Sequence, residues 1–581
     1  MIPCLATFLL SGALAQAPPE AAWLKSVPAE TDIVVRMRGI EAVRDDLNDL
    51  VRALSPALAD QVGPVLNQAV DQFTQQFGRP AAQTPFLALI RAEAPGEPGG
   101  SPPFTVMVQS DNYQGVLDSL AGGKAKVKQE PGGLDSFVDQ RGETLYAAQG
   151  DGWVAFGPDS KLVTAVAKPP GKTLADLPAE LRERLLARDL GVYVNVAALQ
   201  ARYAKEIEDA RAQLMAIFDQ VGQQSGNAGM MDAAKELYGS LFDAIKVADG
   251  LALSLDFAKQ GLDLGGELTL KPDSKAAQGL NPALNGDPAG LGKLPAQGTY
   301  FVYLNINPEV FSQFQNMGLS MIGAGGKPSP ELEKALQLHR EAGRIETVGM
   351  TRMDNGMRSL NIMTAQNPEK LQEAQLTSLR AMKSAKGTPA AELIKDVSVQ
   401  EASQKYQNIS FDQIKVQFDL DAFAKLQPAP GGGDMLKSMF GGDTMTTWIG
   451  RDGPRVVSVS APDWNAAKAL LDAYYEGQET LRDTAAYQVI QQKLPAKATA
   501  LALVSAQGIV RQLAEQFAAM LQNPELKPPA DMPKETALMG GALGISSKGY
   551  QFQVVVPSDV GPVFEKGLVP IFRSLQGQVN Q

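Results

Sequence analysis

The sequence predicts an α+β protein: two pseudo-repeated halves of antiparallel sheet with helices packed on one face. Three observations predict it. Short apolar or β-branched runs, at Ile33-Val34-Val35, 104–108, 456–459 and 552–556, read as strands. Tight-turn signals at Asp151-Gly152, Asp354-Asn355-Gly356, Lys548-Gly549 and Gln260-Gly261 join neighbouring strands and so make them antiparallel. A turn–strand–helix unit also recurs along the chain in a kept order.

The first element is an apolar run from Ile2 to Leu14, ending in Ala13-Leu14-Ala15. A small-x-small ending on a short apolar run is the pattern of a secretory signal peptide, expected to be cut after Ala15. The run departs from that pattern in having no Lys or Arg before it. It is too short to span a bilayer, which takes about 20 apolar residues, and Pro18-Pro19 follow at once. Cys4, the single cysteine, lies inside it, so the mature chain has none. No later stretch is apolar enough to cross a membrane. The expected product is exported, periplasmic or extracellular.

Residues 16–275 form the first expected half and 293–581 the second. The segment 276–292, rich in Gly, Pro and Asn, reads as a linker or crossing loop. The unit starting at Val27 matches the unit starting at Leu294, a shift of 267 residues. The unit containing Val192 matches the one containing Leu501, a shift of 309. The stretch from Gly150 resembles that from Arg451, and the stretch from Leu251 resembles that from Gly541. Ile40, Val43, Leu47, Leu50 and Leu54 lie on one helix face, as do Val310, Phe314, Met317 and Met321 behind Asn307-Pro308. Apolar positions from Tyr203 to Val221 and from Met230 to Ile245 predict two helices joined at a Gly-containing turn. This helical hairpin, about 203–245, is expected only in the first half.

Composition excludes several chemistries. With 53 Lys and Arg against 64 Asp and Glu, the net charge is −11, and nothing favours phosphate neutralisation on nucleic acid. One His and one Cys cannot build a His/Cys zinc site, a Cys–His pair or a disulfide framework. No phosphate loop, dinucleotide fingerprint or nucleophile elbow occurs, so no cofactor is expected. Asp159, Asp273 and Asp463 follow strands and precede helices, where a carboxylate accepts the free amides of the first turn. His339, flanked by Arg340 and Glu341, reads as a packing or surface residue rather than a general base.

Two stretches mix Gly with Met, Phe and Trp, around Asn316 and from Pro428 to Trp448. Such segments form adaptable apolar surfaces. They nominate a contact surface of Met317, Met321, Met435, Phe440 and Trp448, joined by Trp153 and Trp464 from equivalent repeat positions.

Val27-Pro28-Ala29-Glu30-Thr31 and Leu294-Pro295-Ala296, each followed by a strand and an amphipathic helix, carry a resemblance. The chain resembles exported bacterial proteins that open their mature domain with Leu-Pro-Ala-Asp-Thr and share a domain of unknown function. Val27 replaces the usual Leu and Glu30 the usual Asp. The resemblance implies location and architecture, not activity. The expected function is therefore a non-enzymatic binding protein, holding an envelope protein or an apolar small molecule between its halves. The competing expectation is a carboxylate-dependent hydrolase with an oxygen-ligated divalent metal.

Overall fold

The computed structural model describes residues 23–579 apart from 93–102, 226–234, 236–237, 240–241, 309–328, 354–355, 385–392, 423–436, 438–440, 521–532 and 534–535. The signal-peptide segment, the helix expected over 310–321 and the turn at Asp354-Asn355 lie outside the described residues.

In chain order the strands are β1 (Ile33–Met37), β2 (Phe86–Ile90), β3 (Phe104–Gln109), β4 (Lys128–Glu130), β5 (Leu134–Val138), β6 (Thr144–Gly150) and β7 (Trp153–Gly157). Then follow β8 (Leu190–Val194), β9 (Ala248–Ala258), β10 (Gly261–Leu270), β11 (Tyr300–Ile306), β12 (Ile345–Met353), β13 (Met357–Ala365) and β14 (Ile394–Tyr406). The last are β15 (Ile409–Phe418), β16 (Thr444–Asp452), β17 (Arg455–Ser460), β18 (Ala500–Ser505), β19 (Leu538–Ile545) and β20 (Gly549–Pro557).

Every pairing among them is antiparallel, and all belong to one sheet. From one edge it runs β4-β5-β6-β7-β3-β2-β1-β8-β9-β10. It continues across the seam as β20-β19-β18-β11-β12-β13-β17-β16-β15-β14. Read inward from either edge, the chain enters its ten strands in the same order.

The seam is the β10–β20 pair. Gly261 faces Pro557, Gly265 faces Gln553 and Thr269 faces Gly549. A Cβ on Gly261 would strike the carbonyl of Val556, and a Cβ on Gly549 would strike the carbonyl of Leu268. Glycine at both ends lets the two backbones close to hydrogen-bonding distance.

Register corrects one sequence match. Val192 pairs Val35 and Leu253, while Ala502 pairs Val302 and Gly541. Relative to β1 and β11, set 267 residues apart from Ile33 to Tyr300, Val192 therefore corresponds to Ala502 and not to Leu501. In a strand a one-residue offset exchanges the faces. Val192 is half-buried and Ala502 exposed, whereas Leu501 is buried.

Helices cover both faces of the sheet, not one as the sequence predicts. On one face Leu87, Leu89, Met107 and Ala155 pack with Leu162 and Val166 of the Ser160–Ala167 helix. On the other, Phe86, Val106, Val108 and Phe156 pack with Val116, Leu117 and Leu120 of the Tyr113–Leu120 helix. Alternate residues of a strand point to opposite sides. All five residues of β7 are buried, as two-sided cover requires. In the second half Met350, Leu360 and Ile362 meet Ala467 and Leu471 of the Trp464–Glu476 helix. Ile345, Met363 and Val456 meet Leu371 of the Pro368–Ser384 helix across the sheet.

The Ile40–Leu54 helix matches its predicted stripe, with Val43 and Leu50 buried. The helix expected to begin at Tyr203 begins at Val196 and runs to Ser225, with non-helical geometry at Tyr203. Arg211–Asp243 (3.1 Å) and Lys246–Glu208 (2.7 Å) tie it to the chain returning into β9; the turn between lies outside the described residues.

The segment 276–292 is laid down as short helical turns rather than a free linker. Asn285 donates to the carbonyl of Ile545 (2.7 Å) and accepts from its amide (2.9 Å). The Val-Pro-Ala and Leu-Pro-Ala turns also have a structural use. Pro28 bridges Thr173 and Pro295 bridges Thr480, each the first residue of a Thr-Leu-x-Asp capping box. Leu174 donates to Val27 (2.9 Å) and Leu481 to Leu294 (2.8 Å).

The seam gives a direct test. Gly549→Ala is expected to cost about 1–3 kcal/mol, the usual range for overpacking. Gly171→Ala, where a Cβ meets nothing within 4 Å, is expected to be near neutral. Urea denaturation of both variants checks this; equal midpoints would remove the close approach as a constraint.

Candidate functional site

The tightest polar arrangements lie where β1 and β11 begin, one cleft in each half. In the first half Asp32 precedes β1 and is 1% exposed. It accepts from the amide of Ala92 (2.9 Å) and from Arg202. The Ser160–Ala167 helix forms the wall, started by Asp159, which caps the amides of Lys161 (2.8 Å) and Leu162 (3.2 Å) and lies 3.5 Å from Arg91. The cavity, about 310 Å³, is lined by Glu30, Thr31, Asp32, Arg91 and Arg202 on its polar side.

The second-half cleft is built on the same plan with different charges. Thr299 precedes β11 and accepts from the amide of Met353 (3.3 Å). The wall is the Trp464–Glu476 helix, capped by Asp463 at the amide of Ala466 (2.9 Å). The cavity is again about 310 Å³. Its apolar side is Pro295, Met350, Ala466, Ala469, Leu470 and Ala473; its polar side is Gln297, Arg352, Arg358, Gln478 and Glu479. Arg352 donates to Oε1 of Gln297, whose Nε2 donates to Glu479 (3.0 Å). Arg358 sits directly opposite Arg352 across β12 and β13, and its Nε is buried with no hydrogen-bond partner. Glu479 holds a left-handed backbone, φ 47°, a strained geometry for a residue with a Cβ.

The contact surface expected from the sequence is not found where it can be described. Trp153 (4% exposed) and Trp448 (1%) are core residues. Trp464 is half-buried, its ring 5.4 Å from Trp448 and 5.6 Å from Phe411. Trp153 lies on β7 and Trp464 opens a helix, so they are not equivalent positions. Met317, Met321, Met435 and Phe440 lie outside the described residues. Asp159 and Asp463 cap helices as expected, but at 273–274 the cap is Ser274, not Asp273. His339 is fully buried, its Nδ1 2.9 Å from the carbonyl of Ala335. Burial pushes its pKa below the usual imidazole value.

Most buried carboxylates have structural duties. Asp139 accepts from the amides of Arg141 (2.9 Å) and Glu143 (2.8 Å), closing a turn. Asp189 accepts from the amide of Phe257 (2.7 Å) and pairs with Arg38 (3.2 Å). Asp263 meets Arg188 (3.2 Å) and Gln553 (3.1 Å). Among the described residues, no three His, Cys, Asp or Glu side chains group to hold a metal ion. No helix among them is long and apolar enough to cross a membrane. Glu267, 2% exposed on β10, accepts from Ser546 (2.7 Å), and burial raises its carboxyl above the usual range against the pull of that bond and of Arg184.

No family model, curated protein or solved structure matches the chain.

Two opposite pH responses follow. The raised folded pKa of Glu267 gives stability that is present below the unfolded carboxylate value and is lost as pH rises. Glu267→Gln is therefore expected to stabilise the protein more at pH 7 than at pH 4. The lowered folded pKa of His339 gives stability present above about pH 6.5 and lost as pH falls through the folded value. His339→Gln is expected to flatten stability between pH 7 and pH 5. Denaturant unfolding at the three pH values checks both signs, and reversal of either would refute that assignment.

Proposed function

We propose that the chain is an exported, non-enzymatic binding protein that holds a small ligand with an apolar body. Its two halves, 16–275 and 293–581, descend from one duplicated unit, and the helical hairpin is an addition to the first. The shared strand order, the paired proline clasps and the two clefts at equivalent strand starts support the duplication. The resemblance to exported proteins and the apolar opening support the location.

The observation that carries the binding reading is the second-half cleft. A cavity of about 310 Å³, walled by six apolar residues and floored by a few oriented polar groups, is the usual composition of a ligand site. Its walls are a capped helix and paired strands, so the site exists before a ligand arrives. On this reading the ligand lies within one half instead of between the two. The first-half cleft of the same size is crossed by the Arg202–Asp32 and Arg91–Asp159 ion pairs, which a ligand would first have to displace.

Native mass spectrometry of the mature protein, isolated from its own cell envelope, tests this reading. Mass beyond the chain starting at Gln16, released on denaturation as a small molecule, is the expected result. A bare chain would overturn it and leave docking of an envelope protein as the function to pursue.

A further inference from the structure

A second cavity in the same half, about 180 Å³, lies between the helical turn Pro288–Lys293, the Ala485–Lys493 helix and β18. We propose that it binds a compact neutral molecule with an apolar body and one carbonyl or ether oxygen. The body lies against Leu291, Leu494 and Leu501, and the oxygen accepts from the hydroxyl of Tyr487. This site is separate from the cleft beside the Trp464–Glu476 helix and does not depend on the binding reading given to that cleft.

The lining, the fixed walls and one hydroxyl carry this. The lining is apolar, with Pro288, Leu291, Ile490, Leu494, Leu501 and Leu503, and Asp287 is its single charged residue. A cavity of about 150 Å³ with such a lining accepts benzene, so this one has room for a substituted ring. The walls are built in advance. Gly286 and Ala498 exchange backbone hydrogen bonds (2.9 and 3.0 Å), and Asp287 caps the amide of Ala289 (2.9 Å). Ile490, Leu494 and Leu503 meet over Gly540, where a Cβ would strike all three. Tyr487 is 6% exposed, and its hydroxyl makes no hydrogen bond to a described residue although it is not sealed inside the protein. A buried tyrosine hydroxyl usually finds a partner. Burial raises its pKa against the pull of Arg482, so it stays a neutral donor.

In the first half the same place is closed. By strand register Gly191 stands where Leu501 stands, and Tyr193 where Leu503 stands. A Cβ on Gly191 would strike the carbonyl of Leu185, so the Ala179–Leu186 helix lies directly on β8. Three residues, 187–189, join that helix to β8, against six, 494–499, between the Ala485–Lys493 helix and β18. The first helix packs on β8, β9 and β10, whereas the second packs mainly on β19 and β20. The longer connection and the Leu501 side chain thus hold the second helix away from β18, and the space left between them is the cavity.

Isothermal titration of the full mature chain with acetophenone, ethylbenzene and benzoate tests this. One acetophenone per chain is expected, with ethylbenzene bound about fivefold more weakly because one neutral hydrogen bond is lost. Benzoate is expected not to bind, since its charge would be buried beside Asp287 without a partner. Tyr487→Phe is expected to bring acetophenone down to the level of ethylbenzene and to leave ethylbenzene unchanged. Ala496 is exposed and lines the cavity, so Ala496→Trp is expected to abolish binding of both, while Ala469→Trp in the other cleft changes neither. Equal binding of acetophenone and ethylbenzene would overturn the hydrogen bond to Tyr487, and benzoate bound as well as acetophenone would overturn the neutral ligand. Binding lost in Ala469→Trp but kept in Ala496→Trp would move the ligand to the other cleft and overturn this site. Undiminished acetophenone binding in Tyr487→Phe, or in Ala496→Trp should Tyr487→Phe fail to fold, would overturn the placement. No binding of any probe would overturn the whole inference and leave the binding reading of the other cleft standing.

Discussion

The structure depends on one backbone contact, the antiparallel pairing of β10 with β20. Without it the protein would be two sheets, each ending in a long unpaired strand, and exposed strand edges of that kind invite aggregation. Here each edge is covered by the other. The fit rests on two residues without side chains: Gly261 lies against the carbonyl of Val556, and Gly549 against that of Leu268. These contacts are related by a two-fold rotation about the central Gly265–Gln553 pair. A seam of this kind is isologous, and it fixes the relation of the halves through a ladder of backbone hydrogen bonds rather than a patch of side chains.

Backbone ladders alone tolerate slippage, so the buried polar groups around the seam matter. Asp263 on β10 accepts from Gln553 on β20, and Gln553 also donates to the carbonyl of Lys493 (2.7 Å). Arg188 joins Asp256 (2.9 Å) and Asp263 (3.2 Å) across β9 and β10. Glu267 reaches Ser546 just before β20. Shifting the seam by two residues would preserve the faces but part Asp263 from Gln553 and Glu267 from Ser546, and buried polar groups that lose partners are costly. The polar groups thus act against alternative registers even where, as at Glu267, burial itself is unfavourable.

Much of the fold was legible because it is written in local patterns. Ile40 to Leu54 shows its helical stripe, and the hairpin glycines stand where tight turns need them: Gly152 has φ 72° and Gly261 φ 141°. What failed was long-range. Whether a strand is covered on one side or both depends on elements far away in sequence, as β7 shows by burying every residue. The Trp residues misled for a related reason: a large aromatic beside glycine looks like a surface device, but Trp448 fills a core. The second-half cleft has one readable trace. Arg352-Met-Asp-Asn-Gly-Met-Arg358 is nearly palindromic about a turn, and a tight hairpin there sets the two arginines opposite each other. Gln297 and Glu479 carry no such signal, being 182 residues apart and joined only by the fold.

The two clefts show how one scaffold position can be left in different electrostatic states. In the first, each arginine at the rim has a carboxylate of its own, Asp32 for Arg202 and Asp159 for Arg91. That cleft is internally neutralised, and an incoming charge gains only what it recovers after breaking an existing pair. Beside the second, Thr299 at the start of β11 lines a smaller neighbouring pocket, and Arg358 on the facing strand lines the cleft itself. The strained backbone at Glu479 belongs to the same arrangement, because its carboxylate anchors Gln297 while its carbonyl holds Ala296 (2.9 Å) at the mouth of the cleft.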